Sequence, residues 1–180
     1  ITIGGSVLVS QYFGAKNLKK VKITSDTLQI FLLISSIILT IIFFIFSKPI
    51  FQFLSIPDEV LPDAVRYFDI VIVTTTLPSF MLFGISAILR GVGNSLTPIY
   101  FTIGSIILNM ILDLLFVLVF NWGIEGVAWA TGISSVLAWL ALWYHLNKRE
   151  ENIKVDIVDV IVNSTLFWLG LHKFQQKPST

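Results

Sequence analysis

Cysteine is absent from the 180-residue chain, which excludes disulfides, thiol chemistry and cysteine-ligated metals. The two histidines, His145 and His172, stand alone, without the His-Glu-x-x-His spacing of a hydrolytic metal centre. No Gly-x-Ser-x-Gly elbow or Ser, His and Asp set is present, so the sequence supports no enzyme and calls for no cofactor. Charge is scarce too: Asp, Glu, Lys and Arg make up 13% of the chain, against roughly 25% in a soluble domain. The net charge is +1 and no run of five basic residues occurs, which excludes nucleic acid as a partner. The chain opens at Ile1 inside an apolar stretch, without the basic start or cleavage pattern of a signal peptide, and reads as a fragment.

What is abundant is apolar: 55% of the residues are hydrophobic, and the few charges leave gaps at residues 27–47, 70–89, 91–112 and 126–147. Each gap is long enough to cross a bilayer, because about 20 helical residues at about 1.5 Å each cover the roughly 30 Å hydrocarbon core. Residues 27–47 are rich in β-branched side chains, yet in hydrocarbon only a helix satisfies its own backbone groups. The expected fold is an all-α, polytopic membrane helix bundle in the cell membrane. It has four complete spans preceded by the tail of another at residues 1–13. A basic loop carries Lys16, Lys19, Lys20 and Lys22, and an acidic connector over 48–61 holds Pro49 and Pro57. The second full helix, about 63–89, contains Pro78, which removes one backbone hydrogen bond and predicts a bend. Thr97 and Pro98 suit the N-cap and first position of the third helix, which ends near Phe120. The fourth helix ends near Leu146, and the later charge-free run at 160–172 is too short to cross.

Lys and Arg total eight in the connectors at 14–26, 90–97 and 148–154, against two in those at 48–69 and 121–125. By the positive-inside tendency the first set is cytoplasmic. Four lysines in such a loop are chiefly a topology signal, although anionic lipid would also fit them. The sequon Asn163-Ser164-Thr165 then falls on the inner side and is discounted.

Asp113 is the one carboxylate inside a span predicted in this way, where an acid costs about 2.5–3.5 kcal/mol on insertion scales. Asn109, four residues earlier, projects from the same helical face. Thr131 and Asp113 are equally spaced from Trp122 across the tight turn, which predicts similar depth on adjacent antiparallel helices. Such an oxygen-rich pocket suits a proton or a hard cation such as sodium, making Asp113 a coupling residue. The same residues would also serve as polar glue between two helices. Pro78 is either a pivot during transport or an ordinary membrane proline. Arg90-Gly91-Val92-Gly93 is a turn, lacking the preceding strand and third glycine of a nucleotide-binding loop. Ala87 with Gly91, and Ala128 with Gly132, are spaced to let helices approach closely.

Three phrases resemble signatures of the multidrug and toxin extrusion family of cation-coupled exporters. They are Val9-Ser10-Gln11-Tyr12-Phe13-Gly14-Ala15-Lys16-Asn17, Leu89-Arg90-Gly91-Val92-Gly93-Asn94-Ser95-Leu96-Thr97-Pro98, and Gly123-Ile124-Glu125-Gly126-Val127-Ala128-Trp129-Ala130-Thr131. The resemblance implies a partial N-terminal lobe of a twelve-helix, two-lobe exporter. Residues 1–154 would run from the end of the family's second helix through its sixth, and 155–180 would be a cytoplasmic connector and the start of the seventh. His172 stands there where a proline is usual in the family. It further implies export of an amphipathic organic compound driven by H+ or Na+. Asp113, Asn109 and Thr131 match a coupling site of the branch similar to the DNA-damage-inducible and archaeal members. Pro78 falls on the family's fourth helix, and Arg90, Gly91, Gly93 and Pro98 on its cytoplasmic turn. The first helix, which supplies a further acid in relatives, and the C-terminal lobe would be the missing partners. A flippase for a lipid-linked precursor and a non-transporting membrane scaffold are the alternatives.

Overall fold

The computed structural model describes residues 1–149, so the sequon, His172 and the proposed connector at 155–180 lie outside the described residues. Five α-helices follow one another: α1 (Thr2–Gly14), α2 (Leu18–Phe53), α3 (Leu61–Gly91), α4 (Leu96–Leu114) and α5 (Gly123–Arg149). A π-helical turn, Leu115–Val119, extends α4. With that extension, α2 to α5 provide four helices long and apolar enough to cross a membrane, as the charge gaps predict.

The ends of the helices differ from the sequence expectation. Lys19, Lys20 and Lys22 are helical, and α2 runs through Lys48 and Pro49 to Phe53, so the basic loop and the acidic connector are both shorter than expected. At 36 residues, α2 is about 54 Å long, well beyond the hydrocarbon core; charges at its ends are tolerated because they project past it. Thr97 is not the N-cap of α4. The helix begins at Leu96, Pro98 sits third in the first turn, and Asn94 Oδ1 accepts the Thr97 N–H at 3.2 Å.

Three of the connecting turns share one design. At the end of α3 the Gly93 N–H donates to the Arg90 carbonyl at 3.1 Å and the Asn94 N–H to the Leu89 carbonyl at 2.8 Å. This is a Schellman closure, and it places Gly93 at φ +90°. The end of α1 repeats it, with Lys16 N–H to Phe13, Asn17 N–H to Tyr12, and Lys16 at φ +55°. These two closures each place an asparagine whose side chain accepts an N–H from the first turn of the next helix: Asn17 Oδ1 accepts the Lys20 N–H at 3.1 Å. The end of α2 closes the same way around Ser55. The glycines of Arg90-Gly91-Val92-Gly93 therefore serve two needs, since a Cβ on Gly91 would lie 2.7 Å from Val9 and 2.9 Å from the Ser6 carbonyl of α1.

Packing is uneven along the bundle axis. The core comprises Val9, Val21, Leu28, Leu32, Met81, Ile85, Ile88, Leu89, Leu142 and Leu146 with Ala87, all toward the lysine-rich end of the helices. Only Pro98 is buried on α4, whose Ile103, Ile106, Ile107, Met110 and Ile111 face outward, as lipid permits. Pro78 is buried within a continuous α3. One turn before it, Thr74 packs directly on Gly132 of α5, where a Cβ would sit 2.6 Å from the Thr74 Cβ. The small pairs Ala87 with Gly91 and Ala128 with Gly132 are all buried, as close helix approach requires.

Gly132→Ala is expected to destabilise the full-length protein containing this chain by about 1–3 kcal/mol, read as a lower melting temperature in detergent. Gly104 has open space around its Cα, so Gly104→Ala should be neutral or slightly stabilising. Equal effects of the two would contradict the packing described.

Candidate functional site

Helices α4 and α5 run antiparallel and are zipped by a polar stripe spaced four residues apart on α4. Ser105 donates its hydroxyl to the Ser134 carbonyl at 3.3 Å, and Asn109 Nδ2 donates to Thr131 Oγ1 at 3.4 Å. Thr131 in turn donates to the Val127 carbonyl of its own helix at 2.9 Å. Its hydroxyl proton is thus committed, and its lone pair is what receives Asn109. The amide oxygen of Asn109 is turned away from this exchange and remains an acceptor on the same face as Asp113.

Asp113 occupies the next position of the stripe and is half-buried. Its Oδ1 is buried and has no hydrogen-bond partner among the described residues. The structure therefore brings Asn109 and Thr131 into contact and sets Asp113 one turn beyond them. Asp113 and Thr131, expected at similar depth from their spacing about Trp122, are offset by about one turn, because Thr131 lies level with Asn109. The pairs 105 with 134 and 109 with 131 place Asp113 opposite the stretch around Gly126 and Val127 instead.

Two features contribute: the turn lies before Trp122, since α5 starts directly after it, and a π turn begins two residues after Asp113. Its backbone closes with wider rings, Phe120 N–H to the Leu115 carbonyl at 3.2 Å and Trp122 N–H to the Phe116 carbonyl at 3.0 Å. Such a turn takes up residues with less axial advance, so α4 is shorter relative to α5 than an ideal helix would be. Phe116, Phe120 and Trp122 stack at this end with centroids 5.1–5.9 Å apart, and Gly126 packs on the Phe116 Cβ. Single π turns in α-helices recur at functional sites, and this one sits beside the acid. Nothing in the residue pattern of 115–119 distinguishes it from ordinary apolar helix.

Asp113 is not the lone carboxylate within a span. Asp69 lies two turns inside α3 with a buried Oδ1 that has no hydrogen-bond partner among the described residues, and Asp26, two turns inside α2, is 6% exposed. The charge-free gaps begin at residues 27 and 70, directly after these two acids, which therefore read as connector residues. Asp69 lines a cleft of about 640 Å³ at the end opposite the lysine-rich turns, with Lys48, Arg66, Glu125 and Trp129. Arg66 Nε meets Glu125 Oε1 there at 3.0 Å, an exposed pair that adds little stability. A second, apolar cleft of about 310 Å³ runs along α4 and α5 beside Tyr100 and Leu137. Neither is lined by Asn109, Asp113 or Thr131. Among the described residues no group of three or more His, Cys, Asp or Glu is placed to hold a metal ion.

A family model described as MatE matches residues 1–115. The chain is 32% identical over 157 residues to the "Probable multidrug resistance protein YoeA" of Bacillus subtilis strain 168, covering 85% of this chain and 34% of that protein. It is 26% identical over 156 residues to the "Multidrug export protein MepA" of Staphylococcus saprophyticus, covering 86% of this chain and 34% of that one. A crystal structure of MATE in the bent conformation superposes with a TM-score of 0.82 at 23% identity, over 88% of this chain and 35% of that chain. An inward-facing multidrug resistance MATE family transporter of the MOP superfamily gives 0.81 at 22% identity, over 92% and 39%. The chain spans about a third of the length of these curated relatives.

The register is open to a direct test, since this chain contributes no cysteine of its own. Cysteines introduced in pairs into the full-length protein should cross-link readily at 109 with 131 and poorly at 113 with 131, because a disulfide needs Cα atoms within about 7 Å. Preferential cross-linking of 113 with 131 would restore the equal-depth arrangement.

Proposed function

Because the chain belongs to the MatE family of multi-pass membrane transporters, we propose that it forms the N-terminal lobe portion of a multidrug exporter coupled to inward flow of H+ or Na+. Residues 1–154 make up the lobe from its second helix onward, and 155–180 lead toward the next. The missing helices and the C-terminal lobe complete the transporter. Asp113 takes up and releases the coupling ion. The free amide oxygen of Asn109 is a ligand or hydrogen-bond partner to that ion, and Thr131 positions Asn109 through the amide–hydroxyl contact. The Asn109, Asp113 and Thr131 set favours the branch similar to the DNA-damage-inducible and archaeal members. The exported compound is an amphipathic, cationic organic molecule that lies between the lobes against apolar side chains.

The observation carrying this reading is the buried, unpartnered Oδ1 of Asp113 beside an amide that is already held in place. A carboxylate serving only as glue would be expected to bond across to the neighbouring helix, and here the bond across is made by Asn109 instead. Pro78, inside α3 and one turn past its tight contact with α5 at Gly132, is the position about which α3 would bend during transport. The central stretches at 27–47, 70–89, 91–112 and 126–147 hold no Lys or Arg, which argues against a flippase that would grip an anionic lipid-linked precursor.

The decisive comparison sets dye efflux against membrane abundance for Asp113→Asn in the full-length protein. Efflux should fall at least tenfold while abundance stays near normal. Efflux that merely tracks abundance would assign Asp113 to scaffolding.

A further inference from the structure

The cleft of about 640 Å³ at the end opposite the lysine-rich turns takes no part in the α4–α5 set. Its level along the spans is fixed by charge. Lys48 is the first charge after the charge-free stretch 27–47 of α2, Asp69 the last before 70–89 of α3, and Glu125 the last before 126–147 of α5. All three line the cleft, with Arg66 less than one turn further out on α3. At 31 residues α3 is longer than the hydrocarbon is thick, so its first two turns project past it. Three helices therefore set these charges at the level of the lipid headgroups. Ile70 and Trp129, next along α3 and one turn along α5, line the side toward the hydrocarbon, and Trp129 is exposed where interfacial indoles belong.

The cleft carries two positive and two negative groups. Arg66 and Glu125 already meet at 3.0 Å, which leaves Lys48 and Asp69 with capacity to spare. Lys48 is exposed and makes no ion pair among the described residues, and the buried Oδ1 of Asp69 has no hydrogen-bond partner among them. A ligand of one sign would be attracted by one of these groups and repelled by the other. A zwitterion carrying a phosphate and an ammonium answers both. Asp69 further calls for an N–H donor, which a primary ammonium has and a quaternary one lacks.

We propose that this cleft seats the headgroup of an ethanolamine-type phospholipid of the outer leaflet, its phosphate on Lys48, its primary ammonium on Asp69 and its glycerol end against Ile70 and Trp129. The site is independent of ion coupling at Asp113. The competing arrangement is direct closure of Lys48 onto Asp69.

Native mass spectrometry of the purified full-length protein, titrated with lipids of matched chains bearing ethanolamine, choline or glycerol headgroups, separates these. Ethanolamine lipid should be retained at least fivefold more tightly than the other two. Asp69→Asn should abolish that preference, Asp69→Glu should keep it, and Lys48→Gln should weaken retention of ethanolamine lipid at least threefold. Should Asp69→Asn fail to fold, seen as a collapsed melting temperature in detergent, Asp69→Glu and Lys48→Gln decide by themselves. Equal retention of ethanolamine and choline lipids, or a preference that survives Asp69→Asn, would overturn the site and leave Lys48 or another helix of the protein to answer Asp69. Displacement of the lipid by free O-phosphoethanolamine at equal concentration would overturn the lipid as occupant.

Discussion

An amide–hydroxyl contact between two antiparallel helices, Asn109 to Thr131 at 3.4 Å, sets the register on which the candidate site depends. In hydrocarbon there is no hydrophobic force to press one apolar helix against another, so polar contacts and small residues decide how spans meet. Ser105 and Asn109 use up the polar capacity of α5 at their level, and Asp113 is carried past them to the π turn. Among the described residues, the buried Oδ1 of that acid has no hydrogen-bond partner. Its tolerance in the membrane depends on a proton, a cation or water, and that is the chemical requirement of an ion-coupled step.

The two ends of the bundle are built differently. Toward the lysine-rich turns, α1, α2, α3 and α5 share a close-packed core, and Gly91 and Gly84 let backbones or an amide approach where a Cβ would collide. Schellman closures followed by asparagine caps fix the turns at that end with little chain. At the opposite end the packing gives way to an open cleft bearing charges of both signs, with an exposed Arg66–Glu125 ion pair on its wall. A rigid end and a looser end would suit the proposed flexure of α3 about Pro78. Pro78 lies at the level where α3 meets α5 through Thr74 and Gly132, so flexure there would be felt by the helix that carries Thr131.

The number and order of the spans were legible because hydrocarbon penalises charge: four charge-free stretches became four long helices. Their ends were not, because charged residues at the rim remain helical when a helix overshoots the bilayer, as Lys19 to Lys22 and Lys48 do in α2. For the same reason Asp26 and Asp69 were taken for connector residues, although both lie two turns inside helices. Asn109 and Asp113 were legible as one face from their four-residue spacing, and the pairing of α4 with α5 from the short turn around Trp122. The depth of Thr131 was not, since counting outward from Trp122 presumes ideal helices meeting midway there, whereas α5 begins directly after Trp122 and α4 ends in a π turn. The two roles of Gly91 and Gly93, close approach and a positive φ, also emerge only when α1 is seen against α3.

The most direct measurement of the central claim is infrared difference spectroscopy of the full-length protein in lipid, following the carboxyl stretch as pH or sodium is changed. The account predicts a band that responds to proton or sodium exchange and disappears in Asp113→Asn. A spectrum in which every ion-sensitive carboxyl band survives that substitution would contradict it.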